Sequence, residues 1–200
     1  MLSIPVKTLD LSAGRTKSSS SLGSIKYVHA SMQGYRKYQE DAHISHIDDL
    51  GSAAESACIF GVLDGHGGDA TAKSAAKIGM EVLLKNMSSS SSGDKENVGV
   101  WDNKRFTSLY EESFRVVDTR ILRERLDNGS GCTSNLVIIN GSTISCGNLG
   151  DSRSVLCRGG TVVPLSRDHK PDDAGEVLRI RKAGGNVMRG RVCGVVAVSR

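Results

Sequence analysis

Two short strings carry the side chains best suited to chemistry. The first, Gly34-Tyr35-Arg36-Lys37-Tyr38-Gln39-Glu40-Asp41, sets an arginine just ahead of adjacent carboxylates. Alone, such a string is also what a solvated surface charge run looks like. The second, Asp64-Gly65-His66-Gly67-Gly68, follows the apolar run Ala57 to Leu63 (ACIFGVL), so Asp64 stands at the carboxyl end of a buried strand and is held rigidly. Gly65 lets the backbone approach a ligand and offer its carbonyl oxygen. Hard divalent cations such as Mg²⁺ and Mn²⁺ take carboxylates, carbonyls and water, the donors these two strings supply. His66, in a glycine loop beside a carboxylate, is a candidate for proton transfer. Two later strings, Asn148-Leu149-Gly150-Asp151-Ser152-Arg153 and Leu165-Ser166-Arg167-Asp168-His169-Lys170-Pro171, each read alone as polar turns.

A dinucleotide fold competes for the second string, because Gly65-x-Gly67-x-x-Ala70 fits G-x-G-x-x-G/A. Asp64 would then sit beside the pyrophosphate, where like charges repel. The acid expected about 20 residues on falls in a serine tract, and the strands downstream are joined by hairpins, not by crossover helices.

The elements that must position these residues follow from periodicity. Asp69 opens a helix in which Ala72, Ala75, Ala76, Gly79, Met80 and Leu83 recur at helical spacing. Phe106 to Leu126 predicts a second amphipathic helix. Leu136–Ile139 and Thr143–Cys146 flank the hairpin signal Asn140-Gly141, and Ser154–Cys157 and Thr161–Leu165 flank Gly159-Gly160. Consecutive hairpins predict an antiparallel meander. A helix is expected over Asp173 to Ala183, then strands over Val187–Val192 and Val195–Val198. Residues 1–24, with their Ser18 to Ser21 run, are expected to be a flexible leader ahead of a domain over 25–200, in which 88–97 is a surface loop.

Composition bounds the rest. A net charge of +4 over 200 residues, spread along the chain, argues against a dedicated nucleic-acid binder. The cysteines are odd in number and form no CxxC pair, which suits buried small hydrophobes in a reducing compartment. No stretch approaches the roughly 20 apolar residues that cross a bilayer. A cytoplasmic or nuclear monomer is expected, with a transit peptide in the basic, hydroxyl-rich leader as the alternative.

Taken in order, five segments resemble the PP2C (PPM) family of protein phosphatases of the plant or protist type. They are SMQGYRKYQEDAH from Ser31, FGVLDGHGG from Phe60, GCTSNLVIINGSTISCGNLGDSRSVL from Gly131, LSRDHKP from Leu165 and AGGNVMRGRVCGVVAVSR from Ala183. The departure is Gln39, where the family commonly has methionine. The resemblance implies an α+β fold, a sandwich of two antiparallel sheets flanked by helices. It implies a binuclear Mn²⁺ or Mg²⁺ centre whose bridging water attacks phosphoserine or phosphothreonine in phosphorylated protein substrates. By position, Asp41 and Asp64 would bridge the metals, Glu40 would sit in the inner or water-mediated shell, and Gly65 would lend its carbonyl. Asp151 would serve a further, weaker metal position. Arg36 would grip the phosphate, and His66 would protonate the leaving alkoxide. The family pattern continues past Ala197 to Arg200 into further aspartates, so these 200 residues alone are expected to show little activity. The alternative function is a non-catalytic module that binds phosphoproteins or competes with a complete enzyme.

Overall fold

The computed structural model describes residues 6–15, 25–47, 57–89 and 101–200. Its frame is a four-stranded antiparallel sheet in the order β3-β4-β7-β8, built from β3 (Ala42–Ile47), β4 (Ala57–Leu63), β7 (Ser134–Asn140) and β8 (Thr143–Leu149). The strand expected over 57–63 is therefore central, as its unbroken apolar composition requires. β7 and β8 form the expected hairpin, with Gly141 at φ +54° in its turn.

Helices α1 (Ala70–Ser89) and α2 (Asn103–Glu124) cover one face of this sheet. Asp102 caps α2, its carboxylate accepting from the Arg105 N–H at 2.8 Å. Ile44, Ile59, Leu63, Leu136 and Ile138 share a buried cluster with Ala72, Ile78, Leu83, Phe106 and Leu109 of the helices. Two glycines in the strands make room for close packing. A Cβ on Gly61 would lie 2.4 Å from Leu136 Cδ2, and one on Gly147 would lie 2.4 Å from the Tyr110 ring, whose hydroxyl reaches Ser145.

The opposite face carries Phe60, Val62, Asn135, Val137, Cys146 and Asn148, the alternate residues of the same register. Part of it is covered by β2 (Lys26–Gly34), through Tyr27 against Phe60 and stacked His29 and His43 rings at 5.2 and 3.4 Å between centroids. Helices on one side and a strand pair on the other give the expected α+β class with antiparallel sheets.

Several local expectations need correcting. Residues 6–15 of the supposed leader form β1 (Val6–Arg15), which pairs antiparallel with β2. Leu9, Leu11 and Ala13 alternate with Asp10 and Ser12, a strand period that the serine-rich composition obscures. Residues 1–5 and 16–24 lie outside the described residues, as does most of the serine loop, of which Ser88 and Ser89 complete α1. The meander stops at β8: β9 (Val155–Arg158) and β10 (Thr161–Pro164) form a separate pair. Arg189 and Gly190 at positive φ split the expected long strand into β11 (Val187–Met188) and β12 (Arg191–Val192). Val195–Val198 makes no strand beyond a bridge from Val196 to Val192. Between these pairs lies α3 (Ala174–Lys182), capped by Asp173, close to its expected bounds.

Candidate metal and phosphate site

Asp64 leaves the end of β4, and its backbone is fastened on both sides. Its N–H donates to Thr133 Oγ1 at 3.0 Å, and its carbonyl accepts from the Thr133 N–H at 2.9 Å. Thr133 is 1% exposed, and its hydroxyl lies 2.6 Å from Ser152 Oγ. One buried threonine thus ties the first aspartate to the turn that carries Asp151. Thr133 lies within the string that begins at Gly131, but the pairing that sets it opposite Asp64 is not written in local spacing.

The next two residues form β5 (Gly65–His66), paired with β6 (Gly131–Cys132). A Cβ on Gly65 would fall 2.1 Å from the Glu40 carbonyl oxygen, so only glycine lets the two candidate strings touch. The Glu40 carboxylate in turn accepts from the Gly68 N–H at 2.7 Å. These contacts bring the loop after β2 onto the Asp64 loop, although 24 residues separate Glu40 from Asp64 in sequence. Asp41 and Asp64 line one cavity of about 250 Å³, with His29, His43 and Ser152.

The charges around Asp64 are unbalanced. Desolvation, then the like charges of Asp41 and Asp151, push its carboxyl above the usual carboxylate range, although the residue reaches solvent; His66 and Arg36 pull it back. Four other sequence-predicted ionisable groups, Arg36, Asp41, His66 and Asp151, therefore act on one carboxylate. They are not all gathered at one point, however. The His66 ring rests against Gly131, where a Cβ would lie 2.5 Å from Nε2, and lines a separate cavity of about 390 Å³ on the helix side. The carboxylate of Asp151 is held in an ion pair by Lys170. Arg36 is exposed.

The Asp151 turn is built from the fourth string. The His169 N–H donates to the Gly150 carbonyl at 2.8 Å, and the Gly150 N–H donates to His169 Nδ1 at 3.2 Å. Desolvation and neighbouring arginines lower the His169 pKa, which keeps that nitrogen an acceptor. Asp168 is bound by both nitrogens of the Arg153 fork at 3.0 and 2.8 Å. Asp168 and His169 thus hold a loop.

The donors fit a hard divalent cation in kind: carboxylate oxygens, a glycine carbonyl and no thiolate. Among the described residues no three His, Cys, Asp or Glu side chains are grouped to hold a metal ion. What is present is a pair of carboxylates, Asp41 and Asp64, on one cavity. No helix among the described residues is long and apolar enough to cross a membrane.

Residues 25–200 match the family "Protein phosphatase 2C". The chain is 36% identical over 190 residues to "Probable protein phosphatase 2C 3" of Paramecium tetraurelia, covering 88% of this chain and 58% of that protein. It is 36% identical to "Protein phosphatase 2C homolog 2" of Schizosaccharomyces pombe, covering 90% of this chain and 48% of that one. Among solved structures, "Structure of a C.elegans sex determining protein" superposes with a TM-score of 0.64 at 22% identity, over 95% of this chain and 43% of that chain. A phosphatase from Toxoplasma gondii gives a TM-score of 0.59 at 23% identity, over 82% and 59% respectively, and both likenesses speak to the fold. The chain spans about half to three-fifths of the length of these relatives. With a family match from residue 25 to 200 and the two acidic strings folded together, the chain belongs to the protein phosphatase 2C family.

Proposed function

We propose that this chain carries the phosphate- and metal-binding half of a protein serine/threonine phosphatase that uses Mn²⁺ or Mg²⁺. The single observation that carries the reading is the contact of Gly65 with Glu40, which sets Asp41 and Asp64 on one cavity. Asp41, Asp64 and the Gly65 carbonyl would hold the cation, with Glu40 behind them. When bound, it supplies an activated water and neutralises charge on the transferring phosphoryl group. The raised pKa of Asp64 supports this, since a divalent cation relieves the repulsion among Asp64, Asp41 and Asp151.

The chain's own residues do the rest. Arg36, exposed on its loop, grips the phosphate through its planar fork. To act as the acid for the leaving serine or threonine oxygen, His66 would have to turn its ring away from Gly131 toward the Asp41 and Asp64 cavity. A general acid of this kind contributes roughly 10²–10⁴-fold, because the alkoxide is a poor leaving group. Lys170 holds Asp151 beside the site until a cation competes for it.

The test is phosphate release from a phosphothreonine peptide by the full chain with Mn²⁺, with chelator, and in Asp64→Asn. Release that requires Mn²⁺ and disappears in the variant is expected, however slow. Release that survives chelation contradicts the reading. A second reading, a non-catalytic phosphoprotein-binding module, is favoured by the lack of a grouped set of three metal-binding side chains among the described residues. Phosphopeptide binding and Mn²⁺ binding without any release would select it.

A further inference from the structure

The loop between β2 and β3 presents more than Arg36. Gly34, at φ +64°, turns the chain out of β2. Gln33 then fixes the loop: its Nε2 donates to the Arg36 carbonyl at 2.8 Å and the Lys37 carbonyl at 3.2 Å. The Arg36 N–H donates back to the Gln33 carbonyl at 3.4 Å, and Gln39 is tied to Ser31 Oγ at 2.5 Å. The turn is therefore anchored to β2 at both ends.

On this braced turn stand two aromatic rings that the fold leaves uncovered. Tyr35 is 90% exposed and Tyr38 is 64% exposed, and Lys37 Nζ lies 5.2 Å from the Tyr38 ring centroid. No acid lies between Gly34 and Gln39. A rigid, cationic, aromatic surface has the composition of an interaction hot spot: tyrosine brings large contact area at little entropic cost, and a buried ring pairs apolar contact with a polar tip. Its position narrows the partner. The same loop runs directly into Glu40 and Asp41, so whatever covers the rings lies beside the phosphate held by Arg36.

We propose that Tyr35, Lys37 and Tyr38 form a docking lip for the substrate peptide. An extended phosphopeptide lays an apolar neighbour of its phosphorylated residue across the rings and sets an acidic neighbour on Lys37. The choice of a phosphopeptide rests on charge complementarity with Arg36 and Lys37 and on continuity with the site, and so on the phosphatase reading above. It makes these residues specificity determinants: the lip selects among phosphorylated sequences, and the cation site treats them alike.

The test uses the full chain with Mn²⁺ and a fluorescent peptide bearing a non-hydrolysable phosphonate analogue of phosphothreonine, flanked by leucine and glutamate. Anisotropy gives Kd for this peptide and for its unphosphorylated form, and inorganic phosphate is titrated as competitor. Tyr35→Ala/Tyr38→Ala is expected to weaken phosphopeptide binding about tenfold, leaving the Kd for inorganic phosphate unchanged. Tyr35→Phe/Tyr38→Phe should bind like the parent, because the rings do the work; both variants should melt like the parent, since the side chains are exposed. Phospho-selective binding that is indifferent to the alanine pair overturns the lip and leaves the phosphatase reading standing. Ring-dependent binding that ignores the phosphate leaves a peptide-docking lip and contradicts the phosphatase reading. Absence of binding to either peptide overturns both.

Discussion

The two faces of the four-stranded sheet are made from the same strands and do different things. On the helix side, Ile59 and Ile138 are 0% exposed, Leu63 is 2% and Leu136 is 3%, in one cluster with both helices. On the other side the alternate residues are Val62, 47% exposed, and the polar Asn135 and Asn148, hydrogen-bonded to each other at 2.8 Å. The first face packs β4 against both helices. The acidic residues are then placed where β4 ends, on loops fixed by hydrogen bonds and by the close approach of Gly65 to the Glu40 backbone, not by a hydrophobic core. Rigidity and chemistry are neighbours in space but rest on different forces, so they should respond differently to substitution.

The largest effect tests the packed face. Ile59→Ala should lower unfolding stability by about 4 kcal/mol, within the span for buried large-to-small changes, as read from urea melts. Smaller is Gly65→Ala, at about 3 kcal/mol, because the Glu40 carbonyl is backbone and cannot step aside. That variant should also lose Mn²⁺ binding, whereas Ile59→Ala should bind Mn²⁺ whenever it is folded. A loss of the same size without a change in metal affinity would separate the two strings that we have joined.

Next comes Glu176, 6% exposed, whose carboxylate accepts from Arg200 at 2.8 Å and from Arg179 at 2.9 Å. The Arg200 hydrogen bonds, with those of Arg179, lower its pKa from 4.5 to about 2. A depressed carboxylate pKa means stability that is complete above about pH 4.5 and lost as pH falls toward about 2. Glu176→Gln should cost about 2 kcal/mol at neutral pH and flatten the pH dependence of Tm below pH 4.5. The smallest effect has the opposite sign. Asp64→Asn removes like-charge repulsion at a solvent-reaching carboxylate, so without metal it should raise stability by about 0.5 kcal/mol, little because water screens the site. A destabilised Asp64→Asn would mean the charge is held by contacts other than those described.

Much of this was legible in the sequence. ACIFGVL reads best as a buried strand, and the Asn140-Gly141 and Gly159-Gly160 turns set two hairpins in place. The acidic strings and Arg36 could be singled out by residue type and by family resemblance. What spacing could not give was register. Thr133, which braces Asp64, and Ser152 beyond it matter because β4 and β7 pair antiparallel, a contact across 69 residues. Nor could spacing show that Lys170 pairs with Asp151 or that the His66 ring turns toward Gly131. β1 was missed because serine-rich composition hid a short alternation.

We propose that Asp41 and Asp64, joined through Gly65 and Glu40, bind a divalent cation. Calorimetric titration of Mn²⁺ into the full chain and into Asp64→Asn tests it most directly. Binding by the parent that is lost, or weakened by at least about tenfold, in the folded variant is the predicted result. Equal Mn²⁺ affinity in the two proteins would contradict it.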